Sequence, residues 1–204
     1  MAPGLCLGAL TWENQKVELT AQVEDIQAIG VFRFKNSGGE VVTITSVKPS
    51  CGCTTAELAK AQYAPGETGE IKAVFKFNGG VGPQEKTILV TTSDAPASPT
   101  LLTLRVTIPD LFTYSTRLLL WKVGTEPVDQ SLTLTCLRKI KSLEVEPQAT
   151  AAVVCRVETT EPGVKYVLTI RPKSTAQISN SAVPLVVKFA DDTTQAQIVY
   201  VLIR

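Results

Sequence analysis

Cys51 and Cys53, with one glycine between them, are the residues of this chain best suited to chemistry. In an extended segment, residues two apart share a face, so both sulfurs can point the same way. Two thiolates so placed bind a soft ion such as Cu(I), while zinc would need further ligands. The chain has no histidine, so those ligands would come from other cysteines, methionine, carboxylates or a second chain. The same sulfurs can instead close a strained disulfide ring, with Gly52 supplying backbone freedom. A bridge of that kind tends to be oxidising and labile, and hence redox-active. A third reading is structural: two small, buried or half-buried side chains at a loop–strand junction, as thiols or as a static disulfide. The spacing points to sulfur chemistry and leaves its kind open.

Cys136 and Cys155 form a second pair. Cys136 alternates with Leu132 and Leu134, and Cys155 with Val153 and Val157, so both are expected to face a core. There they either bridge neighbouring strands as a structural disulfide or stay thiols that pack as small hydrophobes. Cys6 is the odd one out: a leader remnant, a free thiol or a contact between chains.

The missing histidine removes Ser-His-Asp triads, Cys–His pairs and imidazole bases. Ser–Lys chemistry and carboxylate pairs survive that exclusion. The acidic pairs Glu24-Asp25 and Asp191-Asp192 lie in turn-like polar stretches and read as solvated turns rather than paired catalytic acids. Arg138-Lys139-Ile140-Lys141 reads as a solvated hairpin rather than a phosphate site. Gly79-Gly80-Val81-Gly82-Pro83 is glycine-rich, but it lacks the helix N-terminus and Lys-Ser/Thr of a phosphate loop. Trp12 and Trp121 stand early in each half and read as packing residues. No catalytic residue, metal site or cofactor is assigned.

The elements that would hold these residues are strands. Hydrophobic residues make up 44% of the 204 positions, enough for a packed core. Ile71, Ala73, Phe75 and Phe77 alternate with polar neighbours, as do Leu102, Leu104, Val106 and Ile108. Val164, Tyr166, Leu168 and Ile170 repeat the pattern, and so do Val183, Leu185, Val187 and Phe189. Such a period of two predicts half-buried antiparallel strands. Turn residues punctuate them at Asn36-Ser37-Gly38-Gly39, Ala64-Pro65-Gly66-Glu67, Asn78-Gly79-Gly80 and Pro162-Gly163. Short strands and frequent turns predict an all-β chain of β-sandwiches. The one helical expectation is a turn or two near Thr55 to Lys60.

Asp94-Ala95-Pro96-Ala97-Ser98-Pro99 resembles a linker, yet it reads better as a long hairpin loop joining Lys86–Thr92 to Leu101–Ile108. The boundary falls at Ile108-Pro109-Asp110, where proline ends the strand pattern. The domains expected are 10–108 and 109–204, with 1–9 a leader remnant or disordered start. No residue-level repeat links the two halves.

The run Val31 to Thr54 holds an aromatic–polar strand that ends in Asn36-Ser37-Gly38, then Cys51-Gly52-Cys53-Thr54. A turn, Pro65-Gly66-Glu67, leads into the next strand. These three features in this order resemble the bacterial family known as domain of unknown function 1573, over about Trp12 to Ile108. The resemblance implies an immunoglobulin-like fold, hence two such domains in tandem, and an exported, periplasmic or extracellular location. It implies no activity. Leu118 to Gly124 is similar to the start of the second domain that often follows in such proteins.

Balanced charge, 20 basic against 19 acidic residues, argues against nucleic acid or an anionic membrane surface as partner. No apolar run reaches the roughly 18 residues of a spanning helix, so no membrane insertion is expected. Three functions follow. The first is a non-catalytic protein-interaction or structural module of the bacterial cell envelope, with a protein partner. The second is a thiol-redox or copper-handling protein using Cys51 and Cys53. The third is carbohydrate or cell-wall binding, for which aromatic residues, at 6%, are few.

Overall fold

The structure, a computed structural model, describes residues 9–147 and 151–204. Cys6 and residues 1–8 of the expected leader lie outside them. The chain divides into two compact units, the first ending at Pro109 and the second running Asp110–Arg204. Among the described residues there is no α-helix.

The first unit holds two sheets. One has the order β1 (Leu10–Trp12), β3 (Gln27–Asn36), β7 (Thr68–Lys76), β5 (Thr54–Leu58). The other has the order β2 (Lys16–Thr20), β9 (Thr100–Ile108), β8 (Gly82–Thr92), β4 (Val42–Pro49), β6 (Gln62–Tyr63). All pairings are antiparallel except β2 with β9. The alternating side chains bury one face of each sheet in a shared core. Phe32, Phe34, Ile71 and Phe75 come from one sheet, and Ile88, Leu102, Leu104 and Val106 from the other.

The helical expectation at Thr55 to Lys60 is wrong: Thr54–Leu58 is strand β5 and pairs antiparallel with β7. The β-branched Thr54 and Thr55 favour a pleated surface. Docking along a long central strand outweighs the weak helix preference of Ala56, Glu57 and Leu58.

The second unit repeats the strand order of the first without a counterpart of β6. One sheet runs β10 (Phe112–Tyr114), β12 (Gln130–Cys136), β15 (Lys165–Pro172), β14 (Val153–Glu161). The other runs β11 (Leu118–Trp121), β17 (Thr194–Ile203), β16 (Ser179–Phe189), β13 (Ile140–Val145). Its parallel pair, β11 with β17, matches β2 with β9. Leu132, Leu134, Leu168 and Ile170 meet Val183, Leu185, Val187 and Val201 in the core. The likeness lies in hydrophobic alternation, which many sequences satisfy; that is why no residue-level repeat accompanies it.

The proposed bridge between Cys136 and Cys155 is absent. Cys136 is buried on β12, and Cys155 is half-buried on β14. These strands are not neighbours, because β15 lies between them. Cys155 is level with Ile170 of β15 and Cys136 with Val164, just before it, six positions apart. The two are therefore separated by about 10 Å across the sheet and about 20 Å along it. A disulfide needs Cα atoms at about 6 Å. Burial pushes the Cys155 thiol up to about 11, so it stays protonated at neutral pH.

Candidate functional site

Cys51 and Cys53 sit on the turn between β4 and β5 and are disulfide-bonded, with their Cα atoms 5.3 Å apart. Three backbone bonds fix the turn. Ser50 N–H donates to Thr87 O at 2.9 Å, Thr54 N–H to Cys51 O at 3.3 Å, and Lys76 N–H to Cys53 O at 3.0 Å. Cys53 packs against the core. Gly52 is exposed, and a Cβ built on it would meet nothing within 4 Å. Its φ is not in the left-handed region, so the freedom expected of this glycine is not what the turn uses.

Thr54, the first residue of β5, is only 3% exposed. Its Oγ1 lies 3.5 Å from Cys51 Sγ and 3.9 Å from Cys53 Sγ. With the sulfurs bonded to each other, neither is a thiolate, and a metal could use them only after reduction. Among the described residues no group of three or more Cys, Asp or Glu is placed to hold a metal ion.

The bridge closes a loop of only three residues, so the chain-entropy estimate of its worth is about 1.5 kcal/mol. Changing both cysteines to serine should therefore lower the first unit's melting temperature by less than about 10 °C. Thermal melting checks this, and outright loss of folding would refute it.

The other motif residues form a clasp at the opposite end of β3 from the turn at Val23 and Glu24. Asn36 is fully buried. Its Nδ2 donates to Glu40 O at 2.8 Å and to Tyr63 O at 2.9 Å, while its Oδ1 accepts from Gly38 N–H at 2.9 Å. The backbone joins in: Asn36 N–H donates to Glu67 O, and Gly66 N–H donates to Asn36 O, each at 2.8 Å. Gly66 has φ +81°, a conformation glycine adopts without strain, and Pro65 presets the turn before it. Glu67 closes the turn by accepting from Ala64 N–H at 3.0 Å and pairing with Lys60. The Lys60 ammonium and that N–H hold its carboxyl below the usual range.

Asn36, Gly38, Pro65, Gly66 and Glu67 thus come together in one structural clasp. Cys51, Gly52, Cys53 and Thr54 form the bridge turn. Tyr63 and Gly69 flank the Pro65-Gly66-Glu67 turn and carry a packing role that the motif's spacing does not announce. A Cβ on Gly69 would lie 2.4 Å from Tyr63 Cε1 and 2.5 Å from Phe34 Cζ. The glycine makes room for the edge-on pair of Phe34 and Tyr63, whose centroids are 4.8 Å apart. Trp12 continues the stack at 4.9 Å from Phe34. A glycine inside an alternating strand was the available signal. Trp121 is buried too, and its Nε1 donates to Val128 O at 2.9 Å.

The basic patch and the acidic pair of the second unit neutralise each other. Arg138 meets Asp191 at 2.7 Å, and Asp192 meets Lys141 at 2.8 Å and Lys188 at 3.0 Å. The Thr193 hydroxyl, 2.6 Å away, and Arg138 hold Asp191 down at about 2. A lowered carboxyl stabilises the fold above its unfolded value near 4, and that contribution fades as pH falls through the folded value. Acid unfolding between about pH 4 and pH 2 should therefore be flatter in Asp191→Asn than in the wild type. Melting temperatures taken across that range check it; parallel curves would refute it.

A family model described as "Protein of unknown function (DUF1573)" matches residues 10–108. No curated protein matches the chain in sequence. Several solved structures align with it. A protein of unknown function from Porphyromonas gingivalis W83 is 12% identical with a TM-score of 0.35, covering 97% of this chain and 100% of that one. The YadV chaperone is 11% identical with a TM-score of 0.40, covering 95% and 100%. The VesB protease of Vibrio cholerae is 13% identical with a TM-score of 0.37, covering 50% and 32%. Similarity this low carries no argument about activity.

Proposed function

Residues 10–108 belong to the DUF1573 family of unknown function, and on that premise we propose that the chain is a non-catalytic protein-interaction module of the bacterial cell envelope. In this reading each unit is an immunoglobulin-like sandwich, and the two act in tandem. The paired sheets around one core, and the parallel edge strand in each unit, support that fold. The Cys51–Cys53 bridge supports export, since disulfides persist in oxidising compartments.

The observation that carries the interaction reading is strand β14. It is nine residues long, lies at the edge of its sheet and, among the described residues, pairs only with β15. An open edge of that length can accept a strand from a partner. The ladder gives the direction of its free groups. Lys173 N–H donates to Ala152 O, so residues 152, 154, 156 and 158 bond to β15. Residues 153, 155 and 157 turn their N–H and C=O groups to the open side.

The test follows from that parity. A photocrosslinking residue in place of Arg156 should capture a partner in cells that carry the protein. Cys155→Pro removes an outward N–H, keeps the β14–β15 bonds and should abolish the capture while the unit still melts cooperatively. Equal capture by Cys155→Pro would contradict strand addition at β14.

A further inference from the structure

Thr54 has a buried hydroxyl whose hydrogen-bond partners are the two bridge sulfurs. Divalent sulfur is a weak acceptor, so that hydroxyl is poorly satisfied while the bridge is closed. A thiolate in the same place is a strong acceptor. We propose that Cys51–Cys53 is a thiol–disulfide exchange site for a dithiol partner, with Cys51 released as the thiolate that Thr54 Oγ1 receives.

Two observations select Cys51. Its sulfur is the nearer to Thr54 Oγ1, 3.5 Å against 3.9 Å. Cys53 packs against the core, where burial opposes charge, and Cys51 does not belong to that packing. The thiol of lower pKa leaves faster. Neither cysteine is sealed off: Cys51 and Cys53 are each half-buried, and Gly52 between them is exposed. The receiving hydroxyl keeps its place when the bridge opens. Thr54 is paired with Phe75 of β7, and the Lys76 N–H to Cys53 O bond holds the turn independently of the sulfurs.

The exchange balances in two steps. A partner thiolate attacks Cys53 Sγ; a bond forms between them, the Cys51–Cys53 bond breaks and its electron pair goes to Cys51 Sγ. The Thr54 hydroxyl then donates to that thiolate. The partner's second thiol, deprotonated, attacks the partner sulfur of the mixed disulfide and releases Cys53 as thiolate. The partner dithiol is oxidised by two electrons to a disulfide. The site is reduced to a dithiol, and the two protons given up by the partner pass through solvent to Cys51 and Cys53. This exchange is stoichiometric and does not rest on the interaction reading.

The experiment follows reduction of the native, folded protein by dithiothreitol, read as thiols alkylated at Cys51 and Cys53 against time and pH. The wild type should reduce fully with its melting transition retained. Thr54→Val should slow reduction about ten-fold, the size expected for losing one hydrogen bond to a charged group, and Thr54→Ser should restore the rate. Single-cysteine variants locate the thiolate: Cys51 in Cys53→Ser should react with a disulfide reagent at lower pH than Cys53 in Cys51→Ser, and Thr54→Val should narrow the difference to what the core packing of Cys53 alone leaves. A bridge that resists reduction until the unit unfolds, or a Thr54→Val protein that reduces at the wild-type rate, would overturn the proposal. So would a lower-pH reaction at Cys53 than at Cys51.

Discussion

Replacing Asn36 with alanine should lower the stability of the first unit by about 4 kcal/mol, among the larger effects of a single substitution. The side chain is fully buried and makes three hydrogen bonds, to Glu40 O, Tyr63 O and Gly38 N–H. Its removal strands the buried Tyr63 O, at about 1–3 kcal/mol, and takes a further hydrogen bond of about 1 kcal/mol from each of the part-buried Glu40 O and Gly38 N–H. Water reaching the vacated space offsets part of that sum. For a unit of about 100 residues, the melting temperature should fall by about 20 °C. Asn36→Asp separates the contributions. It keeps the acceptor for Gly38 but loses both donors and turns a carboxylate toward two carbonyls, so it should be no milder than alanine at neutral pH. A near-wild-type melt for either variant would mean that the clasp does not hold β3 to the Ala64–Glu67 turn.

Gly69→Ala should cost about 3 kcal/mol, which is large for the addition of one methyl group. The new Cβ would fall 2.4 Å from Tyr63 Cε1 and 2.5 Å from Phe34 Cζ. Both rings are 2% exposed, so neither can swing into solvent. The strand must bend away from the rings or the edge-on pair must part. Gly66→Ala tests a different mechanism, because that glycine has open space around it but a φ of +81°. It should cost only about 1 kcal/mol. Chemical denaturation of the two variants side by side checks the ranking; a Gly66 effect larger than the Gly69 effect would reverse it.

These effects show how much of the molecule is legible from residue types. The strands were, because burial of one face forces alternation: Ile71, Ala73 and Phe75, or Val183, Leu185 and Val187, can face only one way. Thr54–Leu58 was misread because five residues hold too little periodicity to outvote local propensity, and only pairing with β7 decides them. The Cys136–Cys155 bridge failed for a related reason. Alternation places both side chains inward, but it does not tell which strands are neighbours, and β15 came between. Asn36 and Glu67 were recognisable as turn residues, yet 31 positions separate them, and their mutual bonds arise only when β3 and β7 pair. The Cys51–Cys53 spacing allowed a bridge without requiring it. Thr54's placement over the sulfurs depends on the turn that β7 anchors, which no local pattern encodes.

The sulfur chemistry of the site depends on one covalent fact, and one measurement reads it. The folded protein, isolated under conditions that block thiol exchange, is alkylated in denaturant with and without prior reductant, and each cysteine is located by peptide mass. Cys136 and Cys155 should be alkylated in both samples, and Cys51 and Cys53 only after reduction. Alkylation of Cys51 and Cys53 without reductant, or a bridge found between Cys136 and Cys155, would contradict the arrangement described here.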